Sequence, residues 1–244
     1  MSNPSLPQPS NVTSTSESVV TATNSAGYRS PAGITADIVV LTVRAAELLV
    51  LLVERPEGGL ALPGGFVRET ETAEGTAARA LEEKTGLIDV YLEQLSTFTN
   101  PTRDPRGWIP TIAYLVLVPS LIEPEEQEAR WTHARSAPPL AFDHDLILRT
   151  AVERAKGKLW WSNIAAGILA KPFTLAEARR VYEAIAGIAY DPSTFARDLR
   201  STGLIEPTGE RRSTRGRSAA LFTFRNPTQL LWGAGYNKRR QSGP

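Results

Sequence analysis

Residues 64–87 read GGFVRETETAEGTAARALEEKTGL. Two glycines open the stretch, and Gly86 stands one residue before its end. Between them, Thr72 stands where a hydroxyl can accept from the free N–H groups at the start of a helix. Glu74 lies in the first turn, where a carboxylate meets the positive end of the helix dipole. Gly86 supplies the residue that ends such a helix in a left-handed conformation. The expectation is a helix from Thr72 to Lys84, entered from a glycine loop. Positions 80, 83 and 84 are spaced i, i+3 and i+4 and share one helix face; they hold Ala80, Glu83 and Lys84.

Upstream, GGLALPGG (Gly58–Gly65) is a loop punctuated by glycine and proline. Before it, IVVLTV (Ile38–Val43) and LLVLLV (Leu48–Val53) flank a polar RAAE turn and read as buried strands. Downstream, IDVYLEQLSTF and IPTIAYLVLV (Ile109–Val118) read as further strands. The polar loop NPTRDPRGW (Asn100–Trp108) separates them. Strands surrounding one helix predict a mixed α/β sandwich.

From Asp143 to Lys156 the period changes, and Leu146, Ile147, Ala151, Val152 and Ala155 lie on one helical face. TLAE at Thr174–Glu177 is a capping box opening a second helix. DPST opens a third, with Asp191 as cap and Pro192 in the first turn. That helix turns Phe195 and Leu199 inward and ends at Gly203. LIEPTG and AALFTF then make two short strands around ERRSTRGRS. This order describes a winged helix-turn-helix. Its third helix exposes Ser193, Thr194, Arg197, Arg200 and Ser201, a reading surface for base edges in a major groove. The hairpin tip brings Arg211, Arg212, Arg215 and Arg217 to the phosphates. Trp160, Trp161, Ile164 and Ile168 are expected to pack this module against the sandwich.

The charge follows the same division. Of the 244 residues, 1–140 carry ten basic and seventeen acidic side chains, a net of −7; 141–244 carry seventeen and nine, a net of +8. An acidic half joined to a basic half implies two modules, the basic one facing a polyanion. Residues 1–33, rich in Ser, Thr, Asn and Pro, are expected to be a disordered arm. Lys238, Arg239 and Arg240 make a basic tail within 227–244. No run of 18 apolar residues predicts a membrane span, and the N-terminus has no secretory pattern. With no cysteine, disulfides and thiolate metal sites are excluded; the expected location is cytoplasmic.

Gly65, Glu71, Arg79, Leu81, Glu83, Gly86 and Leu87 carry the spacing of the Nudix box, and the stretch resembles it in register. In that family positions 80, 83 and 84 are normally all glutamate, converging on divalent cations that activate water against a diphosphate. Here one carboxylate survives, one is Ala80 and one is Lys84, whose ammonium places a single charge where a cation would sit. The resemblance therefore implies the Nudix α/β/α sandwich without its hydrolysis, with no catalytic residue and no bound metal. RDPRGW (Arg103–Trp108) and LAFDHDLIL (Leu140–Leu148) are similar to segments of ADP-ribose pyrophosphatases and of regulators derived from them. Arg103 and Arg106 are then candidates for diphosphate oxygens and Trp108 for a base, beside Arg68, Glu83 and Lys84. The alternatives are a local pair with Asp104 for the arginines and a core position for Trp108.

A degenerate Nudix domain (34–142) followed by a winged helix (143–226) resembles the Nudix-related transcriptional regulators of bacterial NAD metabolism, the NrtR family. Such a resemblance implies a homodimeric repressor of NAD-synthesis or salvage genes. It would bind double-stranded operator DNA and leave it on binding ADP-ribose or a related nucleotide, with no cofactor required. Two other readings stand beside it. One is a working hydrolase with a nucleic-acid-binding accessory module, its metal held by Glu69, Glu71 and Glu83. The other is a constitutive DNA-binding protein whose sandwich only dimerises.

Overall fold

The computed structural model describes residues 31, 33–86, 88, 92–119, 129–169, 172–214 and 217–225, with the backbone alone at Lys84, Thr85, Thr214 and Arg217. The expected arm and basic tail lie outside the described residues, but for Pro31 and Gly33. In chain order the elements are β1 (Thr35–Arg44), β2 (Glu47–Glu54), β3 (Leu60–Ala61), β4 (Gly64–Phe66), α1 (Ala73–Thr85), β5 (Glu93–Phe98), β6 (Thr111–Leu117), β7 (Ala129–His133) and α2 (His144–Lys158). A 3-10 turn at Ile164–Gly167 follows. Then come β8 (Phe173–Thr174), α3 (Leu175–Ala186), α4 (Pro192–Ser201), β9 (Ile205–Thr214) and β10 (Arg217–Phe224).

The first sheet runs β3-β2-β1-β6-β5, with β4 paired to the start of β1 and β7 to β2. β1 and β6 are parallel; the other pairs are antiparallel. Successive side chains of a strand point to opposite faces, and β1 is buried on both. Ala36, Ile38 and Val40 share a core with Ala77, Ala80 and Leu81 of α1. Val39, Leu41 and Val43 share the other with Ile147, Ala151 and Ala155 of α2. Burial on both faces explains why β1 and β2 read as unbroken apolar runs.

The placement of α2 corrects the module boundary drawn at 142/143. Its apolar stripe covers the sandwich, and its polar edge is tied to β5: Arg154 donates to Glu93 (3.1 Å) and to the Leu95 carbonyl (2.9 Å), and Lys158 Nζ lies 2.7 Å from Glu93. The same helix also touches α3. Its periodicity correctly marks a buried face but carries no label for the module that buries it.

In the C-terminal module β8, β10 and β9 form a three-stranded sheet beside α3 and α4. The capping box of α3 is complete, with Thr174 accepting from Glu177 N and Glu177 accepting from Thr174 N. The Trp160 ring lies 5.2–5.5 Å from those of Tyr182, Tyr190 and Phe195, in the module's aromatic core. The close approach to the sandwich comes from Gly167, where a Cβ would fall 2.3 Å from the Leu117 carbonyl oxygen of β6. Among the described residues no helix is long and apolar enough to cross a membrane.

Candidate functional site

Helix α1 begins and ends as its sequence requires. The Thr72 hydroxyl accepts from Gly75 N at 3.0 Å, and Gly86, at φ 70°, closes it. Glu71, just before the cap, accepts two hydrogen bonds from Arg79 (2.7 and 2.9 Å) and one from the Thr76 hydroxyl (2.8 Å). The Arg79 hydrogen bonds, with help from Thr76, pull the Glu71 carboxyl down to about 2. Arg79 also holds Glu83 at 3.0 Å and reaches the Phe66 carbonyl at 3.4 Å. Arg68, largely exposed, lies 3.7 Å from Glu71. One guanidinium thus bridges Glu71 and Glu83.

The expected common face of positions 80, 83 and 84 divides in the structure. Ala80 is 1% exposed and belongs to the core under the sheet, while Glu83 is exposed. The Lys84 side chain lies outside the described residues. Glu69 is exposed, and among the described residues no three acidic or histidine side chains are grouped as a metal site requires.

Arg103 occupies a different place from the one expected of a ligand-binding residue. Its side chain is 2% exposed and its hydrogen bonds are all internal. It meets Asp143 at 2.7 Å, Asp37 at 3.3 Å and the Ile109 carbonyl at 3.0 Å. His144 completes the group: Nδ1 accepts from Leu62 N at 2.9 Å, which leaves the ring proton on Nε2, 3.5 Å from Asp37. Burial alone would raise the Asp37 pKa; hydrogen bonds from His144 and Thr111 and the charge of Arg103 override it and hold the carboxyl below its usual value. A Cβ at Gly64 would stand 2.3 Å from Asp37 Oδ1, so this carboxylate also dictates the glycine above it. The cluster pins the glycine loop to the start of α2.

Arg106 does form the local pair with Asp104, at 2.6 and 2.9 Å. Asp104 is held below its usual range by this partner against the opposing effect of burial. The guanidinium remains half-exposed, flanked by the rings of Phe66 (5.0 Å) and Phe142 (5.2 Å). Arg55 lies over the other reach of Phe142 at 4.7 Å. Trp108 is 38% exposed and Phe66 43%. Large aromatic faces left open to water are the unusual feature of this surface. Arg68, Glu71, Arg79, Glu83, Phe66 and Arg106 therefore form one continuous patch, and Trp108 is exposed. Sequence reasoning passed over Phe66 and Phe142. Phe66 lay within the box stretch, and Phe142 adopts φ 60°, a strained value no sequence pattern announces.

On the C-terminal module, Asp191 caps α4 by accepting from Thr194 N (2.8 Å) and the Ser193 hydroxyl (2.6 Å), which draw its carboxyl down to about 2. Ser193 and Thr194 are exposed at the helix start. Arg197 is 73% exposed and bonded to neighbouring Asp198. Arg200 is exposed beside the Phe222 ring at 5.4 Å. On the wing, Arg211 is exposed and folded onto Ser218. Arg212 is turned inward instead. It holds Glu177 at 2.9 Å and the Pro172 carbonyl at 2.7 Å, fastening the wing to the capping box of α3. Arg215 and the Arg217 side chain lie outside the described residues.

A sandwich with a Nudix box, joined to a winged helix with an open α4 face, defines a Nudix protein that carries a DNA-binding module. The family model of the Nudix domain matches residues 32–154, and that of the NrtR DNA-binding winged helix domain matches residues 165–224. The chain belongs to the NrtR family. It is 32% identical over 209 residues to the ADPR responsive transcriptional repressor NtrR of Acinetobacter baylyi, covering 81% of this chain and 83% of that one. Shewanella oneidensis NrtR complexed with a 27mer DNA superposes with a TM-score of 0.72 at 35% identity, over 80% of this chain and 94% of that one. An ADP-ribose pyrophosphatase of Methanocaldococcus jannaschii is 36% identical over 107 residues, covering 41% of this chain and 63% of that one.

Proposed function

We propose that the protein is a DNA-binding transcriptional repressor, acting as a homodimer in the bacterial cytoplasm on genes of NAD synthesis or salvage, and released by ADP-ribose or a related nucleotide. The observation that carries this reading is the open face of α4 on the winged helix, beside a box in which a buried Ala80 stands at a carboxylate position. A metal there would find a methyl group in place of a ligand. The patch remains suited to holding a nucleotide. Arg106 and Arg68 supply cationic partners for a diphosphate, and Phe66 and Phe142 supply stacking faces. Arg103 acts beneath this surface, holding its loop in place. The named activities of the Acinetobacter and Shewanella relatives support both ligands.

The reading helix would be α4, with Ser193, Thr194 and Arg197 toward base edges and Arg200 and Arg211 toward phosphates. Arg212 sets the wing's position. The experiment is calorimetry with ADP-ribose, with and without magnesium, followed by a product assay and by DNA titration. Binding without turnover, accompanied by weaker DNA affinity, is the expected result. Rapid magnesium-dependent cleavage would favour the hydrolase reading, which the Methanocaldococcus relative represents. Binding with unchanged DNA affinity would leave two independent sites.

A further inference from the structure

The two modules meet through contacts of two different kinds. On one side they are packed: the core over α2 continues into Ala178, Tyr182 and Ile185, and Gly167 sits tightly on Leu117. On the other side the β1–β2 turn faces α3 across open space, a cleft of about 480 Å³ lined by Val43, Ala46, Leu169, Phe173, Arg180 and Val181. A smaller crevice of about 260 Å³ runs past the end of α3. Across it reaches one side chain. Arg135 donates to the Ala184 carbonyl at 2.8 Å and to the Ile185 carbonyl at 2.6 Å. These belong to the last turn of α3, whose carbonyls have no acceptor role left inside the helix and form the negative end of its dipole. Gly187, at φ 74°, ends the helix and makes room: a Cβ there would lie 3.1 Å from the Arg135 guanidinium. The base of Arg135 is anchored to the sandwich, where Ala134 N donates to the Leu48 carbonyl at 2.9 Å.

We propose that Arg135 is a positioning residue for DNA reading: it fixes the angle of the α3–α4 unit in the DNA-binding arrangement, and this contact is given up when a nucleotide occupies the sandwich. This rests on the reading given under Proposed function. α3 and α4 are packed together, so a rotation of α3 carries the reading helix with it. The Arg135 bonds are partly buried at the rim of the crevice, where water can take their place, unlike the packed contacts around Gly167. The same chain segment links Arg135 to the nucleotide patch. Seven and eight residues later it delivers Phe142 against Arg106 and Asp143 against Arg103. A ligand engaging Arg106 therefore acts on the segment that carries Arg135.

The test uses the full chain and a duplex selected in vitro by the unmodified protein. DNA affinity is measured with and without ADP-ribose, and ADP-ribose affinity by calorimetry, for the unmodified protein, Arg135→Ala and Arg135→Lys. Arg135→Ala is expected to weaken DNA binding about 5-fold or more and to tighten ADP-ribose by a similar factor, since linkage is reciprocal. Arg135→Lys, which keeps one charged donor, recovers part of the loss. The chain has no cysteine, so spin labels at Gln94→Cys and Glu210→Cys report the angle between modules directly. ADP-ribose and Arg135→Ala should shift that distance in the same direction. Unchanged DNA affinity in Arg135→Ala overturns the proposal, and so does a loss of DNA affinity that leaves the ADP-ribose effect at its original size. If Arg135→Ala fails to fold, Arg135→Lys and the label distance in the otherwise unmodified chain decide; no shift with ADP-ribose refutes the device. If ADP-ribose leaves the unmodified protein's DNA affinity unchanged while Arg135→Ala still weakens it, the repressor reading fails and the positioning role stands.

Discussion

Replacing Arg103 by Ala separates two roles that the sequence alone leaves open. The side chain is 2% exposed and serves Asp143, Asp37 and the Ile109 carbonyl together. Its removal leaves Asp37 buried with His144 and Thr111 as hydrogen-bond partners, and Asp143 without its arginine. Breaking a buried ion pair from one side costs about 3–5 kcal/mol, because the surviving charge stays in a poor dielectric. For a chain of this size that corresponds to a melting temperature lower by about 6–20 °C. Circular dichroism at pH 7 reads it. The deficit should also depend on pH. The Asp37 pKa is lowered in the folded protein, so its contribution is present above its unfolded value and lost as pH falls through the folded one. Arg103→Ala weakens that depression, and the gap to the unmodified protein should narrow as pH falls from 6 towards 3. Arg103→Lys should recover little, since an ammonium cannot span three acceptors in a plane. A ligand-binding arginine would behave otherwise: Arg103→Ala would keep its melting temperature and lose only nucleotide affinity. That result would refute the structural role.

Arg211→Ala and Arg212→Ala should differ although they are neighbours. The first removes an exposed cation and should lower the salt dependence of DNA binding by about one counterion; the second unfastens the wing and should lower the melting temperature by about 2–4 °C. Equal effects in salt titrations and melts would contradict their placement. The Asp191 cap should hold α4 at every pH above the usual carboxylate range, since its pKa is lowered to about 2; its contribution is lost only as pH falls through that value, whereas Asp191→Ala should weaken DNA binding already at pH 7 in an anisotropy assay. The double variant Ala80→Glu with Lys84→Glu puts a carboxylate at a position 1% exposed, and burial raises its pKa. The cost should therefore appear above about pH 4.3 and vanish below it, and magnesium should raise the melting temperature of this variant but not of the unmodified chain.

Local patterns determined a great deal. The cap at Thr72, the end at Gly86, the Thr174–Glu177 capping box and the inward pair Phe195 and Leu199 are short-range features, and each folds as its neighbours dictate. The apolar runs of β1 and β2 and the spacing of the box were equally legible, and together they carried the fold and the family. The rest depended on groups brought together from far apart in the chain. Arg103 and Arg106 are three residues apart and similar in sequence context; only the arrival of Asp37 and Asp143 buries one and leaves the other half-exposed. Arg211 and Arg212 differ because strand alternation sends one to solvent and the other to Glu177, thirty-five residues away. Ala80 and Glu83 share a helix face by spacing, yet the sheet covers one and not the other. Which module owns α2, which rings Trp160 meets, and how Arg135 meets the end of α3 all follow from how two layers pack, a long-range property that periodicity does not encode.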